Sequence, residues 1–403
     1  MVPQTHRPAD NYSPIYFLAS VGAGGIVVSF FMVLMFWVPH PGQPVPVFED
    51  IMAAWSTRGP LMQTAIAIAL AGIAFFAFLN IKSLVWNLQS FGAYKKTGAY
   101  ETLRASNAES TLTAMPLALA MTVNVGFILG LVFVPKLWSV VEYLFPMAMV
   151  AFGLIAVLAF RQIGAFLGRV LAKGGIFDVT AHNSFAQLTP AFAVAMIAVG
   201  FAAPAAMSTA PTTVGVSLII STILGTVAIL YAAVAAITAF ASMLQHGTAR
   251  EAGPTLMIIV PIVTVLGIMF LRQEHGLHTT FDAHDNAGES LVFLTRLLAI
   301  QLTFLGLGAV VLKAQGYFAD FVLGTKTSAG SYALVCPFVA LSVMLHFYVN
   351  KGLVGAGVIA KYDLAYWGVT GLAIASQIVA IALVLRLNRQ HFAPARAQAV
   401  PAE

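Results

Sequence analysis

Ten apolar stretches occupy most of this 403-residue chain: 15–38, 60–82, 112–134, 139–168, 186–208, 214–243, 254–272, 290–313, 332–350 and 364–386. About 20 apolar residues carry a helix across the hydrocarbon of a bilayer. In that solvent only helices and closed barrels satisfy their own backbone. The expected fold is therefore an all-α integral membrane protein with ten transmembrane helices. Composition agrees, with 60% hydrophobic and 9% charged residues. An ordinary soluble domain has roughly 45–50% apolar and 25% charged residues. So few charges could not cover so much apolar surface in water, which excludes a soluble enzyme, a disordered chain and a nucleic-acid binder.

The breaks between stretches are polar. Residues 39–60 are rich in proline and acid, 87–111 carry Lys95, Lys96, Glu101, Arg104 and Glu109, and 169–185 carry Arg169, Lys173, Asp178 and His182. The shallowest break, at 205–213, is marked by Ser208, Thr209 and Pro211. Lys and Arg in the loops set orientation. With the N-terminus in the cytoplasm, fourteen fall inside and five outside. This predicts cytoplasmic tails at 1–13 and 389–403 around a membrane domain at 14–388. The net charge of +5 is read as this inside excess, not as a nucleic-acid signal. The start of the chain lacks a signal-peptide pattern. The expected location is a multi-pass position in a cell membrane, of the bacterial inner type. A lone cysteine, Cys336, precludes an internal disulfide.

Odd-numbered stretches share a proline among small residues: SPIYFLASVGAGG, AMPLALAMTVNVG, LTPAFAVAMIAVG, GPTLMIIVPIVTVLG and LVCPFVALSVML. Glycine follows proline by ten residues at Pro14/Gly24, Pro116/Gly126 and Pro190/Gly200, and the fourth and fifth units depart from that spacing. The prolines Pro14, Pro116, Pro190, Pro254 and Pro337 recur about every 81 residues, one helical hairpin per unit. Proline bends a helix, and freed backbone groups are tolerated where they face protein or a watery cavity. Small residues let helices approach closely. The pattern predicts five bent inner helices, with the even helices outside them.

Three segments carry a family resemblance. Pro14-Ile15-Tyr16-Phe17 runs into Val21-Gly22-Ala23-Gly24-Gly25, Pro254-Thr255-Leu256-Met257 is followed by Pro261, and Ser331-Tyr332-Ala333-Leu334-Val335-Cys336-Pro337-Phe338 opens the ninth stretch. The chain resembles the tellurite-resistance/dicarboxylate transporter family, which includes the plant slow-type anion channels. Its first motif is one residue shorter between Pro and Tyr. The resemblance implies five helical hairpins with quasi-five-fold arrangement around a central pore lined by the odd helices, in a homotrimer. It also implies an anion channel or transporter for small inorganic anions or small organic acids. In that family an aromatic residue of the ninth helix plugs the pore, and aligned on Pro337 that position is Cys336. Phe338 points about 200° away and cannot take its place. Either another aromatic, Phe17 or Phe192, closes the pore, or the constriction is wider and the substrate differs.

Conduction needs exit as well as entry, so an anion path without a fixed central cation is reasonable. Kinked helices can supply free N–H groups and positive half-helix ends instead, and Pro116, Pro190, Pro261 and Pro337 are pore candidates. Polar candidates along the path are Asn124, Thr122, Thr264 and Ser342. Lys82, Arg161 and Lys313 read as snorkelling groups at span ends. Glu142 lies near the outer interface, Arg296 about two turns into the eighth span, and no carboxylate at a span centre. The alternative is a membrane anchor subunit of a respiratory or redox complex. Bis-histidine haem needs two facing histidines, and only His346 lies well within a stretch. The loop group Glu274, His275, His278, Asp282, His284 and Asp285 matches no strict metal spacing. No nucleophile–base set or phosphate-cradling loop suggests an enzyme, and no cofactor is expected.

Overall fold

In the computed structural model, residues 11–174, 177–180, 184–283 and 286–392 are described. Among them, ten helices are long and apolar enough to cross a membrane. They are α1 (Pro14–Trp37), α2 (Pro60–Tyr94), α3 (Asn107–Phe133), α4 (Leu137–Lys173), α5 (Phe185–Met207), α6 (Pro211–His246), α7 (Arg250–Phe281), α8 (Ala287–Ala314), α9 (Ala329–Val354) and α10 (Leu364–Phe392). A multi-pass membrane protein follows from their number and composition. All ten expected stretches are present as helices. The shallow break is real: α5 ends at Met207 and Pro211 opens α6.

Odd and even helices differ in burial. In the most apolar part of each, buried residues make up 89, 50, 89, 67 and 78% of α1, α3, α5, α7 and α9. For α2, α4, α6, α8 and α10 the shares are 33, 22, 28, 17 and 33%. Phe78, Leu154, Leu230, Val310 and Leu372, one from each even helix, are all exposed. Such side chains suit lipid contact, since hydrocarbon solvates them as well as a core does. Contacts run from α1 to α3, α3 to α5, α5 to α7, α7 to α9 and from α9 back to α1. Each even helix packs on the odd helix before it.

Every odd helix opens with a 3₁₀ segment: Pro14–Tyr16, Asn107–Thr113, Phe185–Leu188, Arg250–Met257 and Ala329–Leu334. These segments also touch in sequence, and the last returns to the first. The N-terminal ends of the odd helices thus share one side of the bundle. Ser13, Ser106, Ser184 and Ser328 cap four of them, each accepting from the N–H two residues on. The caps meet donors that a helix start cannot satisfy alone. The repeat prolines act at this boundary, and Pro204 lies where α5 breaks after Phe201. Pro116, Pro261 and Pro337 are the third residues of the α-helical parts of α3, α7 and α9, and Pro190 is the second in α5. There the missing N–H falls where the 3₁₀ turn passes into the α-helix. The fourth repeat proline is therefore Pro261, while Pro254 lies inside the 3₁₀ segment.

Close approach and buried hydrogen bonds hold the bundle where apolar burial gives little drive between helices. A Cβ on Gly22 would meet Val335 Cγ1 at 2.8 Å, and one on Gly25 would meet Val339 Cγ1 at 2.8 Å. Glycine here lets α1 lie against α9. Asn80 of α2 donates to the Ser20 carbonyl of α1 at 2.9 Å, and Thr122 of α3 donates to Asn80 Oδ1 at 3.1 Å. One amide thus ties three helices, with interhelical bonds of this kind contributing roughly 0.6–2 kcal/mol. Glu142 of α4 accepts from Ser208 Oγ at 2.7 Å and Thr209 N at 2.6 Å, so it fastens the α5–α6 turn. Glu109, in the first turns of α3, is buried between Arg104 and Arg169.

Candidate functional site

A cavity of about 470 Å³ lies among the odd helices. All five contribute to its wall, and the earliest lining residue on each is Val21, Met121, Phe192, Pro261 and Cys336. Since the helices start on one side, these residues mark the closed end. Below them lie the ring of 3₁₀ segments and buried Phe17, Phe185 and Tyr332. The latest lining residues, among them His275, Lys351 and Gly355, are exposed and mark the mouth. Pro44 and Val45, from the loop after α1, also border the cavity. Lys351 reaches the mouth from Tyr348–Val354, where α9 widens into a π-helix.

The wall is largely apolar along its length. Val28, Met32, Ile128, Val199, Ile268 and Val343 line it between floor and mouth. Two of its polar groups are internally committed. Asn124 donates to the Ala120 carbonyl at 3.1 Å and reaches Met196 Sδ at 3.7 Å. Thr264 donates to the Val260 carbonyl at 2.9 Å and accepts from Gln301 of α8. Arg272 is the cation set into the wall. Its Nη1 donates to the Val199 carbonyl of α5 at 2.7 Å, fixing the guanidinium across the α5–α7 seam. Val199 follows Met196 by about one turn, so Arg272 and Asn124 occupy neighbouring levels. Glu274, His275 and Ser290 also line the outer part.

Of the residues expected from sequence, Cys336, Asn124, Phe192, Pro261 and Thr264 lie in the wall. Phe17, Pro116, Pro190, Pro337 and Phe338 do not. Phe17 packs edge-on against Phe91, with ring centroids 5.9 Å apart. The Phe338 carbonyl accepts from Ser376 of α10 at 2.7 Å. Thr122 serves the Asn80 junction, and Ser342 is buried outside the wall. Arg296 is exposed on α8.

Arg272 was missed as a pathway residue because the seventh stretch was expected to end there. In the structure α7 continues to Phe281, so the sequence QEHGLHTT is helical and not a loop. Positions 261, 264, 268, 272 and 275 then repeat at helical spacing on one face, the signal that could have found it. The acidic loop group dissolves accordingly. Glu274, His275 and His278 are helical, and His278 Nδ1 lies 2.8 Å from the Ala283 carbonyl oxygen. His284 and Asp285 lie outside the described residues. No group of three or more potential metal ligands occurs among the described residues.

Among the described residues, the two histidines buried within helices are far apart. His346 stacks on Phe36, and His391 sits against Tyr16, its Nδ1 3.0 Å from the phenol oxygen. Tyr16 and Phe36 stand at opposite ends of α1, about 30 Å apart at 1.5 Å per residue. These two could not share one haem iron. His182 lies outside the described residues. No family model, curated protein or solved structure matches the chain.

Proposed function

We propose that this protein is a membrane anion channel or carrier whose path runs between the five odd helices. The observation that carries the reading is a cavity closed at one end, open at the other, with Arg272 set in its wall. Ionisable groups inside membrane spans mark pathways when they face an interior cavity. The closed series of contacts among odd helices supports a quasi-five-fold arrangement of five hairpins around this path. The resemblance to the tellurite-resistance/dicarboxylate transporter family points the same way, and to a homotrimer.

Phe192 is the aromatic we assign to closing the path. It stands on the floor that Cys336 shares, while Phe17 packs outside the wall. A small thiol on α9 with a phenyl ring on α5 would be an exchange of positions within the ring. With both termini cytoplasmic, the mouth faces outward and the Phe192 floor faces the cytoplasm. Arg272 then serves as a relay station for an anion leaving water. Its guanidinium is shared with a backbone carbonyl, which moderates binding enough to permit release.

Flux of an anion panel into proteoliposomes tests the reading. Arg272→Gln is expected to lower anion flux by about tenfold or more, the scale of losing a charge partner away from bulk water. Arg272→Lys is expected to retain part of it. Absence of flux for every anion with correctly folded protein would end the proposal.

A further inference from the structure

Resting on the anion-path reading, the geometry points to an organic monoanion with an apolar body as the preferred occupant of this cavity, with a single oxyanion head on Arg272. Three features of the wall lead there.

Volume is the first. A cavity of about 470 Å³ falls in the range of roughly 300–1,000 Å³ that holds small organic ligands. An anion the size of a water molecule would fill on the order of a tenth of it, since water takes about 30 Å³.

The second is the distribution of donors. From the Phe192 floor to Arg272 the wall offers Asn124 and Thr264, and their donor groups already serve Ala120, Met196 and Val260. Apart from the weak thiol of Cys336 in the floor, a small inorganic anion at that depth would find no wall donor and would depend on the few waters it carries in, a poor exchange for bulk hydration. An apolar body loses nothing there. Thr264 and Arg272 are eight residues apart on α7, about 12 Å along its axis. That length accommodates an aromatic ring or a short alkyl chain below the guanidinium.

Formal charge is the third. Arg272 is the cation set in the wall below the mouth, while Lys351 and His275 stand at the exposed opening. One oxyanion head matches a single guanidinium, and a second anionic group deeper in would lie against apolar wall without a partner. Cys336 puts a small side chain into the chamber floor.

Sulfonates test this well because they stay charged and do not leak through bilayers as neutral acids. Currents on a supported membrane carrying the reconstituted protein should be about tenfold larger for benzenesulfonate than for chloride or 1,3-benzenedisulfonate, the scale on which a shaped site discriminates. Val28→Phe, which fills the chamber from α1, should cut the benzenesulfonate-to-chloride ratio by about fivefold. Chloride or the disulfonate moving as fast as benzenesulfonate would overturn the inference while leaving the anion path standing. Movement of none of them would sink both. An unchanged ratio in Val28→Phe would likewise overturn it, independently of whether Arg272→Gln folds.

Discussion

The two ends of the odd helices are built from the same five segments yet solve opposite problems. At the N-terminal end each helix begins in a 3₁₀ turn, four begin on a serine cap, and neighbouring turns touch around the full circuit. Several polar groups there are bonded within the protein. Tyr16 meets His391, Tyr332 donates to Asn388 at 2.9 Å, and Tyr317 and Ser331 share a bond of 2.8 Å. At the C-terminal end the helices diverge in form. α5 is interrupted after Phe201, α7 runs on to Phe281, and α9 widens into a π-helix. Arg272, Glu274, His275 and Lys351 gather around the opening that results. The contrast teaches that regular repetition seals this bundle, and departure from it opens the bundle.

Breaking the sealed end should have the largest effect. Gly22→Leu forces a side chain into Val335 at the α1–α9 seam. Overpacking of this kind costs about 1–3 kcal/mol or more, so the variant should lose a large share of monodisperse protein in size-exclusion chromatography and melt several degrees lower. Phe192→Ala attacks the floor itself. Removing a buried phenyl costs about 3–5 kcal/mol in a filled core, and less here because one side of the ring borders the cavity. The gain should appear as anion flux severalfold above the parent in the liposome assay. Unchanged flux would move the closure to another residue.

Smaller changes sharpen the contrast. Ser328→Ala removes one of the four caps and should lower stability by about 1 kcal/mol, read as a shift in thermal midpoint, while leaving cavity accessibility unaltered. The last test concerns charge beyond the membrane. Asp320 holds Lys326 at 2.9 Å and Arg250 at 2.6 Å, so it pins the start of α7 to the turn after α8. Hydrogen bonds from Lys326 and then Arg250 hold its carboxyl below the usual carboxylate range. A depressed folded-state value contributes stability above the ordinary Asp range, lost as pH falls through the folded value. Thermal midpoints should therefore drop on acidification, and Asp320→Asn should show a shallower drop. The effect is small because the group is exposed.

Much of this arrangement could be read from residues. Ten spans were legible because a bilayer demands length, and length survives without homologues. The inner position of odd helices was legible in their prolines and glycines, since Gly22 and Gly25 seat Val335 and Val339. Which face of each helix turns to the centre was not. In lipid, outward and inward faces are both apolar, so helical periodicity of hydrophobicity carries little information. Hence Pro116, Pro190 and Phe338 were candidates for a wall they do not reach, while Asn124 and Thr264 do line it. Arg272 was hidden for a different reason. A polar run looked like a loop, and only the continuation of α7 to Phe281 turns that run into a helix face.

Cys336 offers the most direct test of the central claim, because it is the sole cysteine and stands in the wall at the closed end. A membrane-impermeant, sulfonate-bearing methanethiosulfonate should form a mixed disulfide with it when applied from the side of the cavity mouth. Anion flux should then fall, and the same reagent from the opposite side should do neither. Equal labelling from both sides, or complete labelling without any change in flux, would contradict a path that is closed beneath Cys336 and open above it.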